Sequence, residues 1–197
     1  MQSIGSVMTF TMNQILMGFT KTAAAVFGVY FKLQSFVFMP IFGMNNGMIP
    51  IIAYNLGAGK KDRMMKTYKL GVMYAVIMML FGLTVMQLFP GQLLSIFDAS
   101  PEMLSIGIPA LRIISLHFLL AGFCIITTSL FQAIGNGVIS MLISIARQLL
   151  VLLPAAYLLS LLGNVNYVWF AFFIAEGSAT FMCLGYLKHV KKQILSD

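Results

Sequence analysis

Residues 38–69, FMPIFGMNNGMIPIIAYNLGAGKKDRMMKTYK, decide the fold. The run up to residue 54 carries no charge and is too apolar for a helix in a soluble core, so it reads as a membrane helix broken by Pro40, Gly43, Gly47 and Pro50. Asn55, Gly57 and Gly59 then supply a helix stop, and Lys60, Lys61, Asp62, Arg63, Lys66 and Lys69 crowd together behind it. A basic cluster directly after a membrane helix marks the cytoplasmic side and so orients the rest of the chain.

Composition extends this reading to the whole protein. Hydrophobic residues make up 60% of the 197, charged residues 9%, and the mean hydropathy is +0.95. A soluble domain is about half apolar and about a quarter charged. Residues 1–20, 33–59, 70–97, 113–146 and 148–175 contain no Asp, Glu, Lys or Arg, and each can hold a span of roughly 20 residues. An outer-membrane barrel would show ~10-residue alternating segments instead. The expected class is an all-α polytopic membrane bundle. The net charge of +7 does not point to nucleic acid, because eight of the twelve Lys and Arg lie in 60–69 and 188–192, a positive-inside pattern. Cys124 and Cys183 sit in apolar runs without metal or disulfide spacing and read as buried thiols. The first residues lack the basic start of a signal peptide and read as a polar-faced helix entered partway along.

About six helical segments are expected, over 1–19, 23–54, 66–89, 104–133, 138–162 and 166–187. Residues 91–103 form an outer loop carrying Asp98 and Glu102, preceded by a short interfacial helix. With loop 55–65 in the cytoplasm, four further crossings return the tail 188–197, with Lys188, Lys191 and Lys192, to the same side.

An ionisable group within a bilayer costs at least a few kcal/mol, so Lys32, Arg112, His117, Arg147 and Glu176 are the functional candidates. Counted from the outer helix ends at 1.5 Å per residue, Lys32, His117 and Glu176 come out roughly 15–18 Å deep, Arg112 roughly 10 Å, and Arg147 nearer the cytoplasm. Glu176 reads either as a proton or cation acceptor or as the partner of Lys32 in a fixed pair. His117 is a proton relay or a packing residue, and Arg147 a residue that snorkels or bonds to neighbouring carbonyls. The amides Asn13, Gln14, Gln34, Asn45 and Asn46 need partners in the bundle or a wet cavity. Sixteen Met and seventeen Phe suit a plastic wall for flat hydrophobic solutes rather than a metal site. The segment NLGAGKK is a helix-to-loop joint and not a phosphate loop, because no Ser or Thr follows its Lys.

The order GMNNGMIPIIAYNLGAGKKDRM, LFPGQLLSIF, LRIISLHFLLAGFCIITTSLFQAIGNG and SIARQLLVLLPAAYLLS resembles the C-terminal half of multidrug and toxic compound extrusion (MATE) transporters, in the bacterial branch with MepA-like and DinF-like proteins. The resemblance implies one six-helix lobe of a twelve-helix transporter in the bacterial inner membrane. It also implies alternating access, export of hydrophobic organic cations, and coupling to H⁺ or Na⁺ with no other cofactor. Partners would be the lipid bilayer and either a missing N-terminal lobe or a second copy. On this reading the chain is a C-terminal fragment, and the shortness of its first helix, without a charged flank, points the same way. NorM-type relatives place acidic cation ligands on helices matching the first and fourth segments here. Those segments carry no acid within the span, so that site does not transfer. Asn13, Gln14, Lys32, Gln34, His117 and Glu176 are the cavity candidates, and Pro40, Gly43, Gly47, Pro50, Arg112 and Arg147 the structural or gating ones. Two other readings are a lipid-linked oligosaccharide flippase, which should have a more cationic cavity, and a non-transporting half-length remnant. An intramembrane enzyme lacks support, since no paired acids or nucleophile with a base at helical spacing occur.

Overall fold

The computed structural model describes residues 2–196, with side chains placed over 4–190 and at Lys192. Met1, Asp197 and the Lys191 side chain, parts of the expected first helix and basic tail, lie outside the described residues. The described chain is helical throughout: α1 Gln2–Met17, α2 Lys21–Gly57, α3 Lys61–Leu88, α4 Pro90–Ser95, α5 Pro101–Ser115, α6 Phe118–Ala133, α7 Gly137–Ile145, a π-helical turn Ala146–Leu152, α8 Leu153–Ser160 and α9 Val165–Ser196. No strand occurs among the described residues.

Local chemistry sets most boundaries. Thr20 Oγ1 accepts from the Ala23 N–H at 3.0 Å to start α2, and Ser100 Oγ accepts from the Met103 N–H at 3.2 Å to start α5, with Pro101 at the first helical position. The stops after α2 and α6 share one device. Gly59 and Gly135 take φ of +68° and +87°, and the following N–H reaches back to the carbonyl of Asn55 or Phe131, both at 2.8 Å. This is the Schellman closure, which needs the left-handed backbone that glycine takes without strain.

Four helices are long and apolar enough to cross a membrane: Lys21–Gly57, Lys61–Leu88, Gly137–Ser160 and Val165–Val190. Counting the pair α5 and α6, bent by 47° between Ser115 and Phe118, as one span gives five. The sixth expected segment, α1, has 16 residues and is about 24 Å long, short of a ~30 Å hydrocarbon core.

Four expected elements differ in form or extent. The second is unbroken, since Pro40, Gly43, Gly47 and Pro50 all lie inside one 37-residue helix. A proline removes one donor from the ladder, and packing of α2 along α1, α3, α5 and α6 holds the helix across the gap. The fourth is two helices and the fifth contains a π turn. The sixth does not end at 187 but continues through the basic tail to Ser196. No Gly or Pro stops it there, and Leu187 and Val190 remain buried.

Small residues bring the helices together. Ala171, Ala175, Ala179 and Cys183 recur every fourth position of α9 and are all buried, a narrow stripe that lets neighbouring helices approach. On α6, Gly122 backs onto α3, and Tyr68 of α3 bonds Thr127 of α6 at 2.9 Å. Large apolar side chains such as Phe10, Phe36, Phe81 and Phe181 point outward, as expected of surface that meets lipid rather than water.

Candidate functional site

A cavity of about 800 Å³ opens between α1, α2, the α5–α6 joint, the π turn and α9. Its walls combine Phe10, Phe31, Phe38, Phe42 and Phe172 with the polar residues Asn13, Gln34, His117, Arg147, Gln148 and Glu176. Two of the three ionisable groups, His117 and Arg147, sit at irregular places, while Glu176 lies in the regular helix α9. Arg147 and Gln148 are both in the π turn, where the wider spiral admits one extra residue and changes which side chains face inward. Pro154 follows one turn later and offers no N–H to the carbonyl of Leu150, which explains why the helix departs from α geometry at this place.

Arg147 donates from Nη1 to Oε1 of Glu176, the single ion pair found among the described residues. The two side chains are unequally placed: Arg147 is 23% exposed and Glu176 8%. Glu176 Oε2 is buried with no hydrogen-bond partner, as are Tyr30 Oη and Trp169 Nε1. His117 sits at the α5–α6 joint with Nδ1 against the carbonyl of Ile114. A carbonyl only accepts, so Nδ1 carries the hydrogen and the neutral ring keeps Nε2 as an acceptor. The ring packs on Phe118 and Phe172, with centroids at 5.2 and 5.9 Å.

Of the residues proposed from sequence, Asn13, Gln34, His117, Arg147 and Glu176 line this one cavity. Gln14 is exposed and lies outside it. The Lys32–Glu176 pair is overturned. Lys32 is exposed and stands over the ring of Phe97, 5.5 Å from its centroid, beside the connection between α4 and α5. Arg147 takes its place and neither snorkels nor lies apart from Glu176. The reason is geometric: α2 is about 55 Å long, so its outer end is no guide to depth. Arg112 is exposed, and its carbonyl, not its guanidinium, is engaged, accepting from Gln87 Nε2 at 2.8 Å. Pro40, Gly43, Gly47 and Pro50 are exposed or only half-buried along α2, and none lines the cavity. No group of three or more His, Cys, Asp or Glu that could hold a metal ion occurs among the described residues.

The MatE family model matches residues 1–158. The chain belongs to this family. Among curated relatives, a multidrug export protein MepA of Staphylococcus haemolyticus is 26% identical over 94% of this chain and 40% of its own length. An FAD transporter of Shewanella oneidensis is 25% identical over 74% of this chain and 32% of its own length. The chain thus spans less than half the length of the curated relatives it matches. Among solved structures, the outward-facing conformation of a multidrug resistance MATE family transporter of the MOP superfamily superposes with a TM-score of 0.92, at 21% identity. It is covered over 45% of its length by the whole of this chain. A MOP superfamily transporter from Pyrococcus furiosus gives 0.89 at 22% identity, over 98% of this chain and 44% of that one. The MatE chain therefore has the MATE fold over about half of that fold's length.

Sequence reasoning missed three residues of the MatE cavity and its frame. Gln148 lies beside Gly5 of α1, its Oε1 3.9 Å from where a Cβ on that glycine would stand. Tyr30 brings a buried hydroxyl near the pair, stacked edge-on against Phe172 at 6.0 Å. Gln87 ties α3 to the α5–α6 joint. A buried Tyr in an apolar helix and a Gln near a helix end were available as signals, but the candidates were confined to the ionisable residues and to five amides of the first two helices.

Proposed function

We propose that this MatE chain is one lobe of a secondary exporter that binds amphiphilic aromatic solutes in the α1/α2/α9 cavity and releases them outward by alternating access. The supporting observation is the cavity itself, about 800 Å³ walled by aromatic rings around one buried ion pair. Pockets of ~300–1,000 Å³ with mostly apolar walls and few polar groups are the usual form of organic-ligand sites. The names of the two relatives, multidrug export and FAD transport, agree with a lobe that handles organic solutes. The second lobe comes from an N-terminal half or a second copy, and coupling is to H⁺ or Na⁺. The protein sits in the bacterial inner membrane with residues 60–69 and the C-terminal end in the cytoplasm, by the positive-inside rule.

Binding of a fluorescent aromatic dye to the chain in lipid nanodiscs tests the site. Thr9 lines the cavity and its hydroxyl donates to the Gly5 carbonyl of its own helix, so Thr9→Trp fills space while leaving the Arg147–Glu176 side chains as they are. Saturable dye binding should weaken at least about tenfold in that variant. Unchanged binding would place the solute elsewhere and refute this reading.

A further inference from the structure

The charge that the cavity presents differs from the one expected of a site for organic cations. Among the described residues Glu176 is the only acid on the walls, and its carboxylate is paired with the guanidinium of Arg147 and is the less exposed partner. One oxygen takes the Arg147 bond and the other is fully buried, so neither is offered to a solute entering from the cavity. Arg147 is the more exposed partner and spends one nitrogen on the pair. A guanidinium carries five N–H donors in a planar fork, and none of Arg147's nitrogens is both buried and unpartnered. Arg147 lines this cavity and also a small one of about 30 Å³ beside Cys124 and Ser144, and the larger cavity is the one with room for a solute. The other polar walls, Asn13, Gln34, Gln148 and His117 with the hydroxyls of Ser6, Thr9 and Ser35, carry no carboxylate.

We propose that the cavity selects aromatic solutes bearing an oxyanion, a carboxylate or a phosphate, over flat organic cations, with Arg147 holding the oxyanion. The proposal rests on the reading of this cavity as a solute site. An arginine fork matches the geometry of both oxyanions, and in a water-poor cavity a charge-assisted hydrogen bond gains strength. A cation would meet a carboxylate already covered and a positive charge in front of it. Aromatic rings such as Phe31 and Phe172 hold the rest of the solute.

The test uses matched pairs of probes on the full chain in nanodiscs. Flavin mononucleotide and riboflavin share a ring system and differ by a phosphate; 1-pyrenebutyrate and 1-pyrenebutanol differ by a carboxylate; ethidium is the flat cation. Each acid should bind about tenfold or more tighter than its uncharged twin, the range expected of a charge-assisted bond. Ethidium should bind weakest. Arg147→Met should abolish the contrast within each pair. Should that variant not fold, Arg147→Met with Glu176→Gln, which leaves no charge unpaired, gives the same readout. Glu176→Gln alone keeps the fork and removes its competitor, so the contrast should widen. A contrast for one pair alone assigns the site to that oxyanion. Equal binding within both pairs, a contrast that survives loss of Arg147, or tight ethidium binding lost in Glu176→Gln overturns the proposal while the solute site stands. Failure of every probe to bind saturably overturns both.

Discussion

A carboxylate buried between helices needs a cation, and the chain offers Glu176 three Lys or Arg within its expected spans, Lys32, Arg112 and Arg147. Counting residues from helix ends favoured Lys32, because it assumes that all helices start level with the membrane. The length of α2 breaks that assumption, and the π turn gives Arg147 a direction that a regular helix would not. The existence of a buried pair was legible in the sequence, while its partners depended on helix offsets that no local pattern encodes. Removing one partner strands the other. Because Arg147 is partly exposed, Arg147→Met or Glu176→Gln should each cost about 1–3 kcal/mol, below the ~3–5 kcal/mol of a sealed pair, and the double variant should recover most of it. Lys32→Met should stay within about 1 kcal/mol of the parent, the scale of an exposed cation over an aromatic ring. Thermal unfolding in one detergent, for all four variants, gives the comparison; a double variant no better than the singles would show that the pair is not a unit.

Between helices, the glycines separate into two kinds that the sequence does not distinguish. A methyl on Gly122 would stand 2.9 Å from Met79 Cγ and 3.3 Å from the Ala75 carbonyl oxygen of α3, and that backbone cannot move aside. Gly122→Ala should therefore lower stability by about 1–3 kcal/mol, as overpacking does. Gly43 and Gly47, singled out from sequence for bending, have nothing within 4 Å of an added Cβ. Gly43→Ala should raise the melting point, by up to about 1 kcal/mol of helix stability. If α2 bends during transport, the same variant should also slow solute release, and an unchanged rate would remove Gly43 from the gating set. The sequence shows where glycines lie along a helix but not which face meets a neighbour, so Gly122 passed as an ordinary membrane glycine.

At the scale of the whole molecule, composition and charge spacing made the all-helical membrane class readable, since burying so many apolar residues in water-free surroundings leaves few architectures. The irregular joints were not readable, because a bend or a widened turn is settled by what packs against it. The threading has its own check. A cysteine placed at Lys61 should react with a membrane-impermeant maleimide only after the cytoplasmic side is opened, and labelling of intact cells would invert the topology.

The joint between α5 and α6 has a further consequence. In a straight helix the Arg112 carbonyl would accept from the Leu116 N–H; here that N–H turns to Ile113 at 3.3 Å, and the carbonyl accepts instead from Ser115 Oγ at 3.1 Å and from Gln87 Nε2 of α3 at 2.8 Å, which also donates to Ser115 Oγ at 3.1 Å. The bend and the position of α3 are thus geared together: α3 cannot slide away without giving up both Gln87 bonds, and the span cannot straighten without restoring the Leu116 N–H as a competitor for the carbonyl. Any stroke that straightens α5 and α6 would be transmitted sideways to α3, and Gln87 is the tooth through which it passes.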